Sequence, residues 1–332
     1  MKVLFIGGTG NISTSVSRAC VARGMDLHML VRGTREVAVP GATIHRGDAL
    51  DSSRLAIVAR TEKWDAVVDW IAYTTADIER DISVFTGKTD QFVFISSASA
   101  YQKPPVHPVI TESTPLANPY WEYSRNKIAC EELLARTYRE KGFPITIVRP
   151  SMTYDTVLPL AIGGWSEFTV IDRIRKGEPI IVHGDGSSLW VLTHAEDFAS
   201  GFVGLLGHPQ AVGEAFQITS DEVLTWDQIY TTTARAAGRE PQIVHIPSDF
   251  IVRCEESLRG QLLGDKSRSV IFDNSKIRRI VPGFRALIPF HEGIRRTLSW
   301  FDADPARQVV RKETVAMFDR ILSAYAGKTP GT

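Results

Sequence analysis

The feature that most constrains this chain is its start. Residues 2–6 (KVLFI) form a short apolar run ending in Gly7-Gly8-Thr9-Gly10, and an apolar-periodic stretch from Ile12 to Ala22 follows and stops before Gly24. A strand, a tight glycine turn and a helix, in that order, open a βαβ unit, so the rest of the chain must supply parallel partners. Short apolar runs recur at Leu27–Val31, Thr43–His45, Ala66–Ile71, Phe92–Ile95 and Ile145–Val148. Helical patterns stand at 52–60 and from Trp121 to Glu140. Such alternation predicts an α/β fold, a Rossmann doubly wound parallel sheet, with residues 1–150 as the dinucleotide-binding domain. After Pro150 the elements become shorter and richer in glycine and proline. Residues 151–332 are expected to build mainly a smaller C-terminal α/β substrate lobe, with some segments returning to the Rossmann sheet. The site should then lie between the lobes, at the carboxyl ends of the strands.

Composition narrows the function classes. The 332 residues carry 38 lysines and arginines against 38 aspartates and glutamates, and this zero net charge argues against a nucleic-acid partner. No apolar run is long enough for a bilayer, and VLFIGG is too short for a signal-peptide core. The three cysteines, Cys20, Cys130 and Cys254, are far apart and form no C-x-x-C pair, which fits a reducing cytoplasm. His183 and His194 lack metal-ligand spacing, so no metal is expected. His194 reads as a cap on the next helix or a core residue, with Asp197 as its structural partner.

The glycine turn assigns cofactor roles. Gly7 permits the tight turn, Gly10 lets backbone approach a pyrophosphate, and the helix opening at Asn11 and Ile12 aims free N–H groups at that anion. Ser13 holds the place of a third glycine and is small enough for close helix–strand packing. The second strand ends Val31-Arg32-Gly33, without the carboxylate that would accept from a ribose diol. Arg32, with Arg35 nearby, suits a 2′-phosphate, so the cofactor is NAD or NADP with NADP favoured. Asp48 can accept from the adenine amino group.

Three side chains carry the chemistry. Tyr123 and Lys127 form a Y-x-x-x-K pair on one face of the long helix. A phenol with a reference pKa near 10 is a poor base at neutral pH, and a neighbouring ammonium is expected to lower it. The tyrosine can then take a proton from an alcohol or return one to a ketone, while Lys127 also holds the nicotinamide ribose. Ser97, just past the 92–95 run, can hydrogen-bond the reacting oxygen. Trp165 and Trp190 are candidates for a sugar or base platform or, equally, for core packing, whereas Tyr120 and Trp121 read as packing at the helix start.

With these motifs in place the chain resembles the NAD-dependent epimerase/dehydratase family, the extended short-chain dehydrogenases. The likeness runs through Gly47-Asp48, Val148-Arg149-Pro150, His183-Gly-Asp-Gly-Ser187, Thr193-His194 with Asp197, and Phe290 to Trp300. It implies catalysis by Tyr123, Lys127 and Ser97, with cofactor on Gly7, Gly10 and Asp48. It also implies a sugar-like substrate, epimerised by transient oxidation or, alternatively, reduced as a ketone, and a homodimer through the Y-x-x-x-K helices. Two departures matter. The Asp-Glu pair of 4,6-dehydratases is replaced by Ala98-Ser99, and the arginine that holds a nucleotide diphosphate is replaced by Trp190. The W-x-x-T-H run, Gly264-Asp265-Lys266 and Phe272–Lys276 are similar to a subgroup containing chloroplast stem-loop-binding proteins, which adds a nucleotide- or RNA-binding alternative. Ser99, Lys266 and Arg268 complete the expected substrate residues, the two cations as an anion site.

Overall fold

In the computed structural model, which describes residues 1–34, 38–60 and 63–327, the early apolar runs become one parallel sheet. Its strands are β1 (Lys2–Ile6), β2 (Asp26–Val31), β3 (Thr43–Arg46), β4 (Ala66–Asp69), β5 (Phe92–Ile95), β6 (Ile145–Pro150) and β7 (Ala215–Ile218). They lie in the order β7-β6-β5-β4-β1-β2-β3, and every pairing is parallel. Because the order reverses between β1 and β4, a crevice opens beyond their carboxyl ends.

Alternation along β1 builds both faces. Val3 and Phe5 pack with Val16 of α1 (Ser13–Ala22) and with Phe198 and Phe202. Leu4 and Ile6 face the other way, toward Leu55 of α2 (Ser52–Arg60), Ile78 of α3 (Thr75–Phe85) and Leu134 of α4 (Glu122–Lys141). Burying strands on both faces is why these runs read as continuously apolar. Helix α3 has no counterpart in the sequence reading. It is announced by a capping box in which Thr74 and Asp77 satisfy each other's backbone N–H groups.

Most apolar residues after Pro150 pack into a further core, which also takes in Ala98, Tyr101 and Ile110. A three-stranded sheet joins Met152–Tyr154, Leu189–His194 and Val223–Thr225, and a two-stranded one pairs Ile180–His183 with Ile243–Ile246. Trp190 and Trp226 are fully buried between them, their ring centroids 5.4 Å apart. The chain returns to the large sheet as β7, after helix α5 (Ala195–Val203) has packed on α1. His194 caps α5 by accepting from the Glu196 N–H, and Asp197 accepts the backbone N–H groups of Leu287 and Ile288. No helix among the described residues is long and apolar enough to cross a membrane.

Candidate active site

Two cavities meet at the carboxyl edge of the sheet. The larger, about 650 Å³, is floored by Gly7, Gly8, Thr9 and Gly10 and flanked by Arg32, Asp48 and Tyr73. Gly7 and Gly8 have φ of 93° and 111°, a region that suits only glycine. A Cβ on Gly8 would stand 2.7 Å from the terminal methyl of Met29, a flexible side chain, so the crowding at the turn is secondary to the positive φ. Behind it, the backbone N–H groups of Asn11 and Ile12 meet no protein acceptor among the described residues, while the Gly10 N–H is taken by Ser13 Oγ at 2.8 Å. The asparagine side chain turns away to donate to the Thr153 carbonyl. Thus Ser13 does more than fit, since it closes one donor that a glycine would leave open.

At the far end of this cleft the exposed Arg32 follows β2 directly. Arg46 lies over the adjacent turn, its Nη1 3.2 Å from where a Gly33 Cβ would sit. Arg54 in turn donates to the Arg46 carbonyl. Asp48 holds its own turn by accepting the Leu50 N–H. Arg35 lies outside the described residues.

The smaller cavity, about 330 Å³, is lined by Ser97, Ser99, Trp121, Tyr123, Trp165 and Lys266, among others. The two cavities meet at a ring pair: Tyr73 of the first stands 6.1 Å from Tyr123 of the second. Helix α4 delivers Tyr123 and Lys127 to this seam. It is fixed to the sheet by Glu131, which accepts from Ser96 of the β5 end and from Arg149 of β6 in a buried, charge-assisted pair.

The electrostatics here differ from the expectation for Tyr123. Lys127 does not bond to the phenol. Its Nζ donates to the carbonyls of Ala72 and Ile95, at 2.7 and 2.8 Å, and lies 5.8 Å from the Tyr123 ring centroid. Burial therefore dominates both groups. Loss of solvation pushes the phenol up to about 12, with Tyr73 adding to the rise and a hydrogen bond to Ser97 opposing it. Loss of solvation brings the lysine down to about 8, with Asp69 acting against that change. The remaining face of the ammonium lies over the Tyr73 and Phe94 rings, 4.5 and 4.8 Å from their centroids.

Ser97 is less free than a lone hydroxyl. It lies 2.9 Å from Ser99 Oγ, which in turn accepts from Ser124 Oγ at 2.8 Å. The predicted substrate residue Ser99 thus faces the pocket but mainly orients Ser97.

Of the expected substrate residues, Trp165 and Lys266 reach this pocket. Trp190 does not: it is 2% exposed, in the lobe core against Trp226. Arg268 is exposed and stands outside the lining. Trp121, read as packing, lines the pocket and lies 5.0 Å from the Tyr123 ring. Asp265 and Gln261 also line it and were not foreseen in that role. The clue was Gly260, where a Cβ would come within 2.3 Å of Trp121, so the 260–266 segment must press against the head of α4.

Residues 3–219 match the NAD dependent epimerase/dehydratase family. The chain belongs to that family. It is an enzyme of the extended short-chain dehydrogenase type with a nicotinamide dinucleotide cofactor. The glycine turn and the free Asn11 and Ile12 N–H groups fit such a ligand. A relative from Streptomyces kanamyceticus, 2′-dehydrokanamycin reductase, is 26% identical over 86% of this chain and 80% of its own length. The chloroplast stem-loop binding protein of 41 kDa b of Arabidopsis thaliana is 28% identical over 75% of this chain and 67% of its own. Among solved structures, a UDP-glucose 4-epimerase from Bifidobacterium longum with NAD+ and UDP superposes with a TM-score of 0.71. It covers 92% of this chain and 99% of its own, at 18% identity, a likeness of fold.

Proposed function

We propose that this enzyme interconverts a secondary alcohol and a ketone on a sugar-like substrate, with NADP(H) as its working cofactor and net reduction of the ketone as the favoured direction. The observation that carries this reading is the position of Tyr123 and Ser97 at the seam of the two cavities. There one face of a bound molecule would meet their hydroxyls and the other the cofactor cleft. The dinucleotide supplies the hydride when bound. Ser97, oriented by Ser99, would donate to the carbonyl oxygen, and Tyr123 would deliver the proton. A phenol raised to about 12 is protonated at neutral pH, so it holds the proton that a developing alkoxide would take, although the raised pKa makes it a weaker acid than free tyrosine. Lys127, anchored on two carbonyls, would orient the nicotinamide ribose.

Two observations support reduction over the transient-oxidation epimerisation first expected. The exposed Arg32 at the end of β2, without a carboxylate, favours the phosphorylated dinucleotide. The likeness to 2′-dehydrokanamycin reductase extends over most of both chains. Among the described residues no arginine lines the pocket, which weighs against a nucleotide-diphosphate sugar.

The test is turnover of a ketosugar panel followed by nicotinamide absorbance, with the wild type and Tyr123→Phe. Cofactor oxidation matched to product, at least about 100-fold slower in Tyr123→Phe with NADPH still bound, supports the reading. Conversion to an epimer without net cofactor change would restore epimerisation. Full activity in Tyr123→Phe would remove that residue from the chemistry.

A further inference from the structure

Where the 262–266 turn meets the head of α4, the wall of the smaller cavity holds an unbalanced buried charge cluster. Lys103 and Lys266 are both buried, at 4% and 7% exposure, and they share a single carboxylate. Lys103 Nζ lies 3.3 Å from one oxygen of Asp265, and Lys266 Nζ 3.8 Å from the other, beyond hydrogen-bond reach. Among the described residues no second carboxylate pairs with either ammonium. Two ammoniums against one carboxylate leave one positive charge in a wall with little access to water. Burying a charge is costly unless it is paired and hydrogen-bonded, so an unmatched cation facing a cavity calls for an anion.

The cluster is built, not incidental. Lys266 ends a π-helical turn, Leu262–Lys266, whose backbone is held at three points. The Gly264 carbonyl accepts from Asn118 Nδ2 at 2.7 Å. The Lys266 carbonyl accepts from His183 Nε2 at 2.9 Å and from Trp226 Nε1 at 3.1 Å. The ammonium lies 5.8 Å from the Trp121 ring and lines the same cavity as Tyr123 and Ser97. Burial and the neighbouring Lys103 both press the Lys266 ammonium toward losing its proton, and Asp265 opposes them. A bound oxyanion would act in the same sense as Asp265.

We propose that Lys266, backed by Lys103 and only partly neutralised by Asp265, binds an oxyanion of the substrate. The substrate of the reaction proposed above is then a sugar-like ketone or alcohol bearing one carboxylate or one phosphate. Trp121 and Trp165 would flank its ring, and the anion would sit against the 262–266 turn. This rests on the redox reading for the reaction but not for the binding.

The probes are inorganic phosphate and sodium acetate, titrated separately into protein saturated with NADP+, so that the dinucleotide occupies its own phosphate sites. Tryptophan fluorescence reports binding through Trp121. Saturable binding of at least one probe is expected, and the tighter of the two names the anion. Lys266→Met should weaken it by at least about tenfold, since a hydrogen bond to a charged partner is lost. Lys266→Arg should keep affinity within a few-fold. Asp265→Asn, which removes the competing carboxylate, should tighten it. Thermal melting of each variant separates loss of binding from loss of fold. Absence of saturable binding of either probe, or equal affinity in folded Lys266→Met, overturns the proposal. If the protein takes up no NADP+, the redox reading fails by itself, and the Lys266-dependent part of the titration on the protein alone still decides this one.

Discussion

Replacing Arg32 by alanine should separate the two dinucleotides. Arg32 is exposed at the end of β2 and lines the dinucleotide cleft, where a 2′-phosphate would approach. Arg46, folded over Gly33, stands behind it. A hydrogen bond to a charged group contributes about 1.5–3 kcal/mol when shielded, but an exposed ion pair contributes about 0–1 kcal/mol. Arg32 lies between these cases, because one side faces solvent and the other the cleft. The expected loss is about 1.4 kcal/mol, or roughly tenfold in Kd for NADPH. NADH carries no 2′-phosphate, so its affinity should change less than about twofold. Removing Arg46 as well should increase the NADPH loss, because among the described residues the guanidinium then left nearby is that of Arg54, which is engaged with the Arg46 carbonyl. The assay is quenching of protein fluorescence by each reduced dinucleotide at two salt concentrations. The NADPH preference of the wild type should shrink as salt rises, since the contact is exposed. Equal weakening of NADPH and NADH in Arg32→Ala, or a wild type that holds NADH as tightly as NADPH, would refute the assignment.

Two further predictions concern the scaffold. Gly8→Ala combines an unfavourable φ of 111° with a Cβ 2.7 Å from Met29 Cε, while Gly24→Ala has φ of 72° and open space around it. Chemical denaturation should therefore give a loss of about 1 kcal/mol for Gly24→Ala and about 2 kcal/mol for Gly8→Ala, whose φ lies outside the left-handed well and whose Cβ must displace the Met29 methyl, and equal losses would contradict this ordering. The second concerns acid stability. His183 is buried and its pKa lies at about 4, lowered from 6.5 chiefly by loss of solvation and further by Lys266, with its bond to the Lys266 carbonyl resisting. Above about pH 6.5 it is neutral folded or unfolded and contributes no pH dependence. As pH falls from 6.5 to 4 only the unfolded chain takes up the proton, so the wild type should lose about 3 kcal/mol from this group and then level off. His183→Gln, which can still donate to that carbonyl, should flatten this part of the stability–pH curve, and an unchanged slope would show that the proton goes elsewhere.

The legible and illegible parts of the sequence divide along a physical line. Strands β1, β4 and β5 were legible because burial on both faces forces unbroken apolar runs, and α4 because it is long and periodic. The glycine turn was legible because φ above zero leaves few residue choices. Helix α3 was not, since its apolar residues Ile78, Ile82 and Val84 are interrupted by charges, and its signal is the brief Thr74–Asp77 box. Trp190 carried a motif position but not an environment. Whether an indole faces a cavity or a core depends on Trp226, brought beside it by the second lobe's packing.

The same line runs through the chemistry. The identities of Tyr123, Lys127 and Ser97 can be read from spacing within short segments, because a helix fixes i and i+4 and a strand end fixes where the next residues stand. Their pKa values cannot, because solvation depends on everything that closes over the site. A sequence places an ammonium four residues from a phenol and suggests attraction. The fold spends that ammonium on the carbonyls of Ala72 and Ile95 and leaves burial to set the phenol. Substrate recognition is further from the sequence still. Lys103 and Asp265 lie far apart in the chain, and each reads alone as an ordinary surface charge. Only when the 262–266 turn is pressed against the head of α4 do two lysines come to share one carboxylate in a buried wall. Reaction type is therefore written locally in this fold. On the proposed anion site, substrate charge would be set where the 262–266 turn meets Lys103, so a few substitutions there would change it while the Y-x-x-x-K helix stays as it is.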